Sequence, residues 1–487
     1  MTPWFDAECR SERRRVRAAE RRYRRTRCDM DKRAWHDKWR QLRVLYERKD
    51  SQHWRAKIEE NKGDTKKLWR TFRGVLGDAD LDVPDDHTAD DFATFFQDKV
   101  DVVRASTATT PSHDVRWRDT KTLSNWSTVT ADEVAKLIGA APCKTCSLDP
   151  IPTWLVKEMR GLLSPFISLL FQKSLFTGLF PTEFKEAIVR PLLKKSGLDS
   201  TQKKNYRPVS NLSFLSKLLE RVAQARLEVF LDSSDLMPTM QSAYRRFHST
   251  ETAVMKVYND LLLAADNGDV SALCLLDLTA AFDTVDHDLM MLKLERQFGL
   301  RGVVLGGFRS YLCGRTYRVI HGGKTSCIVH VICSVPQGSV LGPRMFILYA
   351  ADLEDVAAKH SVNIHGYADD TQLYLHGRRD DMTSTARRLE NCITDVGQWM
   401  SANRLKLNTE KTELLWAGSR HGQSSVTDCR PSLQLGADTV TAQDDVRLLG
   451  VTISSDLSLQ RHVSNVSATS FNWLRQLRRV RRSLDYV

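Results

Sequence analysis

The residues best placed to do chemistry are two adjacent carboxylates within Asn363-Ile-His-Gly-Tyr-Ala-Asp-Asp-Thr-Gln-Leu-Tyr-Leu-His376. Apolar residues run up to Tyr367-Ala368, Asp369-Asp370 interrupt, and Leu373 and Leu375 resume in alternation. Period-two alternation reads as strand, and an Asp pair between two strands reads as a tight hairpin. Adjacent side chains on a strand point to opposite faces, so one acid, Asp369 on our reading, faces a cleft more directly. The bland alternative is turn chemistry alone, which Asp also favours. A third carboxylate, Asp277, ends the buried strand Ala272-Leu-Cys-Leu-Leu-Asp277. Bare carboxylates about 4 Å apart repel by roughly 4 kcal/mol at an effective dielectric of about 20. A divalent cation removes that cost, and Mg²⁺ takes one or two protein carboxylates plus substrate phosphates. Two such ions about 4 Å apart stabilise the attacking and leaving oxygens of an in-line phosphoryl displacement. The chemistry expected is therefore nucleotidyl transfer, if the sheet brings these acids together.

The chain around them has 487 residues, enough for two or three lobes. Its 41% hydrophobic content is ordinary for a globular protein. No run of about 18 uncharged apolar residues occurs, so no membrane span is expected. The opening Met1-Thr-Pro-Trp-Phe-Asp6 has no apolar signal core, and ten scattered cysteines suit a reducing compartment. Net charge is +12, and residues 1–60 carry 19 Lys and Arg against 11 Asp and Glu. A basic patch of this kind commonly meets a polyanion such as nucleic acid, although a solvated basic helix would read the same way.

The elements that must position the acids follow in order. Residues 6–60 read as one or two long helices, with Trp35, Trp39, Leu42 and Tyr46 on one face as a packing seam. Residues 77–128 read as an acidic linker with a short helix around 90–103. Thr130-Ala-Asp-Glu133 resembles a capping box. Cys143-Lys-Thr-Cys146 lacks a second pair at zinc-finger spacing and is a weak metal signal. Helices around 154–177, 214–230 and 251–265 flank the extended segment Ala187–Lys194. Tyr317–Ile320 and Ser326–Ser334 alternate across His321-Gly-Gly-Lys324 as a hairpin. Pro336-Gln-Gly-Ser-Val-Leu-Gly-Pro343 is a Gly/Pro-rich loop opening a helix. A helix spans roughly 382–403, and Arg447–Ile453 is a strand. Asp283, Asp286 and Asp288 read as capping or structural acids.

Seven segments in this order resemble the reverse transcriptase of LINE-type (non-LTR) retrotransposons. They are Asn205-Tyr-Arg-Pro-Val-Ser210, Gln241-Ser-Ala-Tyr-Arg245, Asp277-Leu-Thr-Ala-Ala-Phe-Asp283, Pro336–Pro343, Tyr367-Ala-Asp-Asp370, Leu407-Asn-Thr-Glu-Lys-Thr412 and Leu448-Leu-Gly-Val451. Each is modest alone; their order is specific, and it covers about residues 130–455. The resemblance implies an α+β right-hand polymerase. An antiparallel palm sheet would be backed by helices, with helical fingers and a partial thumb, preceded by a basic helical N-terminal region. The expected divisions are 1–76 for that region, 77–128 for the linker, 129–455 for fingers and palm, and 456–487 for the start of a thumb.

By position, the resemblance makes Asp277 and Asp369 the principal metal ligands, with Asp370 supporting and the Leu278 carbonyl contributing. Phe282 would lie under the incoming sugar as a steric gate. Leu278, Gln337 and Gly338 would line the nucleotide pocket, and Arg207 and Arg245 would hold template or triphosphate. Lys411 would protonate the pyrophosphate leaving group, and Leu449 and Gly450 would belong to the primer grip. The implied cofactor is a pair of Mg²⁺ ions, with Mn²⁺ as a substitute. The implied partners are an RNA template, a DNA primer and dNTPs, in nucleus and cytoplasm, without a membrane. Four features depart from the pattern: no endonuclease precedes the region, Arg344 stands where an apolar residue is usual, Ala350-Ala351 precede Asp352 where Ile-Asn is commoner, and the thumb stops early. The rival expectation is an inactive truncated remnant that only binds nucleic acid.

Overall fold

In the computed structural model the described residues are 4–60, 87–111, 114–144, 146–195, 197–419 and 430–484. The chain divides into two compact units, Met1–Pro84 with His462–Val487, and Asp85–Arg461.

The smaller unit contains a helical hairpin, α1 (Ala7–Thr26) and α2 (Asp29–Glu60). Asp6 caps α1 by accepting from the Cys9 amide at 3.0 Å. The Lys49 ammonium beside it holds its carboxyl down at about 2. The break between the helices sits at Arg27, in the left-handed region at φ 54° with its amide bonded to the Tyr23 carbonyl. No Pro or Gly marks it, which is why the pattern allows one helix or two. Cys9, Val16, Leu42 and Leu45 form the seam with Trp4, Phe5, Trp35 and Tyr46 against them. Trp39 leaves the seam: it is exposed, with the Arg43 guanidinium 5.8 Å from its ring.

The larger unit opens with α3 (Ala89–Thr107), started by a reciprocal capping box of Thr88 and Asp91. The segment expected to be a linker with a short helix is therefore structural from residue 87 on; residues 77–86 lie outside the described residues. Phe92, Ala93 and Phe96 of α3 pack on Val189, Tyr206 and Val319. Next come α4 (Ala131–Ala140), α5 (Thr153–Glu158) and α6 (Arg160–Thr177). A sheet follows from β1 (Glu186–Leu193) and β2 (Tyr206–Asn211), then helices α7 (Phe214–Ser233) and α8 (Thr250–Asp266).

The central strand β3 (Val270–Leu276) leads to α9 (His287–Arg296) and α10 (Gly302–Leu312). Strands β4 (Thr316–His321), β5 (Lys324–Thr325) and β6 (Val329–His330) join the first sheet, in the order β2-β1-β4-β5 with β6 also on β4. After α11 (Leu341–Tyr349) and α12 (Leu353–Lys359) comes the hairpin of β7 (Asn363–Tyr367) and β8 (Asp370–Gly377), then α13 (Met382–Ala402) and β9 (Glu413–Ala417). Short strands β10 (Leu433–Leu435), β11 (Asp438–Val440), β12 (Ala442–Gln443), β13 (Asp445–Leu448) and β14 (Val451–Ser454) precede α14 (Gln460–Leu484).

The central sheet runs β12-β9-β3-β8-β7. Its β9-β3-β8-β7 pairings are antiparallel, and β12 joins in parallel. Both faces of β3 are covered. Ala272, Cys274 and Leu276 meet the main core, which includes Leu389, Ile393 and Val396 of α13. Leu273 meets a second core with Val257 and Leu261 of α8 and Val446 and Ile453 of the β13–β14 hairpin. Burial on two faces explains why this strand reads as a continuous apolar run rather than an alternation.

Two ion pairs, the second of them buried on both sides, tie helices together. Arg344 on α11 is buried and bonds Glu228 of α7, so the departure from an apolar residue is matched by a partner. Lys293 of α9 is wholly buried, donating to Asp352 at 2.6 Å and to the Tyr349 carbonyl at 2.7 Å, with the Trp399 ring 4.8 Å away. Removing one member of such a pair strands the other charge, at a cost of about 3–5 kcal/mol, whereas an apolar replacement of both is often neutral. We expect Lys293→Met to lower the thermal midpoint more than Lys293→Met with Asp352→Leu. Equal losses, read by calorimetry, would show that this pair does not carry the junction.

Candidate active site

The register of the central sheet sets the acids. The last rung between β3 and β8 pairs Leu276 with Thr371, so Asp277 follows level with Asp370. Tyr367 pairs with Asp370, which makes Ala368-Asp369 a two-residue turn with Ala368 at φ 60°. Asp277 is pinned from its other side. Its carbonyl accepts the Asn408 amide at 2.9 Å, and the Thr279 amide donates to the Lys406 carbonyl at 2.9 Å. Leu278 and Leu407 are thus a bridge between those bonds, leaving the Leu278 carbonyl directed out of that ladder.

The three carboxylates feel one another. Burial pushes Asp370 up to about 6, with the charges of Asp369 and Asp277 adding to it. Burial also raises Asp369, opposed by a backbone hydrogen bond and reinforced by Asp277. Asp277 Oδ2 accepts from Asn408 Nδ2 and from Lys411 Nζ, each at 3.1 Å. The ammonium thus sits where a positive charge is wanted.

The turn divides its two acids. Asp370 shares a cavity of about 390 Å³ with Asp277, Lys411, Arg447 and Leu449. Asp369 does not line that cavity; its charge reaches Asp283 and Tyr244 as well as its neighbours, adding to the rise that burial gives those two groups. Leu449-Gly450 is the tight turn between β13 and β14, both residues at positive φ, 46° and 95°.

On the Asp369 side, Phe282 is held by its backbone and by its ring. Its carbonyl accepts the Val335 amide at 2.9 Å, and its ring stacks on Phe346 at 4.6 Å between centroids and 21° between planes. Gln337 donates to Asp283 at 2.6 Å, and its carbonyl accepts the Ser210 amide at 2.9 Å. Gly338 is required here: its φ is 104°, and a Cβ would meet the Ser210 carbonyl at 2.5 Å. Asp283, read as a structural acid, is therefore tied to the Gln337 loop, and burial pushes it up to about 6. Asp286 does cap α9, accepting from Asp288 and Leu289.

Sequence reasoning missed Lys194. Arg207 lies opposite Leu192 on the β1–β2 hairpin, so Lys194, two residues on, shares its face as a diagonal neighbour. Burial lowers the Lys194 pKa, and the charges of Lys99, Lys411 and Arg207 add to that while Asp277 opposes it. A cationic cluster therefore flanks the acids. The strand Ala187–Lys194 paired against Arg207 held the signal. Arg245 stands apart from the expectation for it: its Nη1 donates to the carbonyls of Pro238, Thr239 and Gln241, bracing its own loop.

A profile of the family described as reverse transcriptase (RNA-dependent DNA polymerase) matches residues 193–453, more than half of the chain. The chain belongs to that family. It is 28% identical over 346 residues to the RNA-directed DNA polymerase from mobile element jockey of Drosophila melanogaster, covering 70% of this chain and 37% of that protein. It is 26% identical over 356 residues to the probable RNA-directed DNA polymerase from transposon BS of the same organism, covering 72% and 38%. It is 25% identical over 303 residues to that from transposon X-element, covering 62% and 32%. The chain thus spans about a third of the length of these relatives. Among the described residues, no helix is long and apolar enough to cross a membrane.

Reverse transcriptases in general depend on a divalent metal, and the donor set here fits one. Among the described residues, no three His, Cys, Asp or Glu gather tightly enough to cage an ion by themselves. Mg²⁺ does not need such a cage: it takes one or two carboxylates and completes its shell with phosphate oxygens and water.

A pH window follows. Asp370 is raised to about 6 in the fold and Asp369 is raised with it, so their contribution to stability is present at low pH and is lost as pH rises, for Asp370 through about 6. A divalent ion binds the deprotonated acids, so its stabilising effect grows over the same range. We expect the metal-free melting temperature to fall between about pH 4 and about pH 6, Mg²⁺ to restore it towards the upper end of that range, and Asp370→Asn to flatten both trends. A wild-type melting temperature that is insensitive to Mg²⁺ throughout would contradict this.

Proposed function

We propose that this chain is the polymerase portion of a non-LTR retrotransposon protein, extending a DNA 3′-OH on an RNA template with dNTPs. Asp85–Arg461 would supply the right-hand arrangement. The central sheet would be its palm and the β2-β1-β4-β5 sheet with α3 to α7 its fingers; the last helix, which from His462 on belongs to the smaller unit, would begin a thumb. The observation that carries the reading is the convergence of Asp277 and Asp370, with Asp369 beside them, at one sheet edge flanked by Lys194, Arg207 and Lys411.

The residues take their parts from position. Asp277, Asp369 and Asp370, with the Leu278 carbonyl, would hold the divalent ions. When bound, a pair of Mg²⁺ stabilises charge on the attacking and leaving oxygens of an in-line displacement. Arg207 and Lys194 grip triphosphate oxygens, a fork and a point charge doing complementary work. Phe282, its ring backed by Phe346, lies under the sugar and leaves no room for a 2′-OH. Gln337 and Gly338 line the nucleotide pocket, Gln337 being fixed by Asp283. Lys411, which donates to Asp277 at 3.1 Å, would hand a proton to departing pyrophosphate. Leu449 and Gly450 support the primer end.

Primer extension on poly(rA)/oligo(dT) tests this. We expect dTMP incorporation by the wild type, loss with Asp369→Asn, and entry of ribonucleotides with Phe282→Val. Equal background in wild type and Asp369→Asn supports the reading of a remnant that only binds nucleic acid. Unchanged discrimination between rNTP and dNTP removes the gate assignment.

The basic hairpin would add grip on the nucleic-acid backbone. Arg10, Arg14, Arg17, Arg21 and Arg25 are exposed and recur at helical spacing along α1, away from the seam made by Cys9 and Val16. Replacing all five by Gln should reduce the slope of log affinity against log salt for single-stranded RNA by up to about 3.5, at about 0.7 for each phosphate no longer neutralised. An unaltered slope would make the stripe a solvated face.

A further inference from the structure

The Ala368-Asp369 turn is held from outside its own hairpin. β7 is the last strand of the central sheet, and Met240-Gln241-Ser242 docks along its free edge. The Gly366 amide donates to the Met240 carbonyl at 2.7 Å, and the Ser242 amide donates to the Gly366 carbonyl at 2.9 Å. The Gln241 side chain, buried beside this rung, reaches the turn. Its Oε1 accepts from the Ala368 amide at 2.9 Å and from the Ala243 amide at 3.0 Å, and its Nε2 donates to the Ala368 carbonyl at 3.3 Å. Both polar groups of the residue before Asp369 are thus taken by one primary amide. That residue is in the left-handed region at φ 60°, a conformation unfavourable for a non-glycine residue, so its surroundings must hold it there.

Two further observations belong to the same device. Gly366 leaves room for it: a Cβ there would meet Gln241 Nε2 at 2.8 Å. On the other flank, Ser242 Oγ lies 3.0 Å from His365 Nε2, and His365 Nδ1 lies 3.0 Å from Gln372 Oε1. Gln372 Nε2 donates to the Asp370 carbonyl at 3.2 Å. Since Gln372 donates through nitrogen, its oxygen accepts from Nδ1–H, and Nε2 accepts from the Ser242 hydroxyl. Gln241 therefore holds the backbone before Asp369, and Ser242 reaches, through His365 and Gln372, the backbone of Asp370.

We propose that Gln241 and Ser242 form a clamp that sets where the two turn carboxylates stand, with Gln241 as the principal positioning residue. A primary amide is needed because one group must donate and accept at the same peptide. A carboxylate in place of this amide could accept both N–H groups but could not donate to the Ala368 carbonyl. It would also set another negative charge beside Asp369. The clamp is a statement about geometry; its catalytic consequence rests on the polymerase reading.

The test has two arms on the full chain. Hydrogen exchange of the peptide covering residues 362–373 reads the clamp whether or not the chain polymerises. Gln241→Leu should speed exchange at Ala368 on the order of tenfold or more, with β3 and β8 still protected. In primer extension, Gln241→Leu should lower kcat on the order of 10²-fold, because a misplacement of about 1 Å costs that much, while the KM for dNTP changes little. Gly366→Ala should reproduce the loss by pushing Gln241 away. Gln241→Ala with Gly366→Ala should be no worse than Gln241→Ala alone. Unchanged exchange at Ala368 overturns the clamp. Faster exchange with an unchanged kcat, or a kcat loss that tracks falling thermal stability and returns on cooling, overturns the positioning role. A wild type without extension overturns the polymerase reading and leaves the exchange arm to decide the clamp.

Discussion

Like charges crowded at a sheet edge are the constraint on which the rest of this structure depends. Asp277, Asp369 and Asp370 are brought together by strand register, so their repulsion is fixed by the fold and not by side-chain choice. The fold meets that repulsion in two ways. Burial, with that repulsion adding to it, raises the pKa values of Asp369 and Asp370, and Asp277 has drawn the Lys411 ammonium and the Asn408 amide. The positive side, Lys194 with Arg207, Lys99 and Lys411, lies next to the negative one. On the proposed polymerase reading, a triphosphate with divalent ions would satisfy both at once.

Order around this edge is maintained by burial elsewhere. β3 is covered on both faces, so its end cannot shift without disturbing two cores. The Gln337 loop is stitched to β2 through Ser210 and to the Phe282 segment through Asp283, at a glycine that admits no Cβ. The surroundings of Gln337 are therefore assembled from three distant stretches joined by short hydrogen bonds. A displacement of the β1–β2 hairpin would be felt at Phe282 through the same bonds.

Much of this was legible in the residues. The Asp-Asp hairpin, the strand ending on Asp277 and the Gly/Pro loop carry local signals of turn chemistry and periodicity, and local signals survive in a sequence. What could not be read were the partners. Gln241 lies 127 residues from Ala368, and nothing in its own neighbourhood says which peptide it will bond. Arg344 looked like a departure until Glu228 stood beside it. Lys194 needed the β1–β2 register, and Arg245 was a candidate for phosphate until its loop carbonyls came into view. The break at Arg27 left no Pro or Gly to mark it, and Trp39 left a seam its spacing had placed it in. The stretch before residue 129 looked acidic and weakly patterned, yet α3 buries Phe92 and Phe96 against a sheet whose strands begin far later in the chain, at Glu186.

The measurement closest to the central idea is anomalous diffraction from crystals of the chain soaked with Mn²⁺ and a non-hydrolysable dNTP. Strong density bridging the carboxyls of Asp277 and Asp369, with the triphosphate against Lys194 and Arg207, is the expected result. Ions bound only elsewhere, with those two carboxyls turned apart, would mean that the acids share an edge of the sheet but no chemistry.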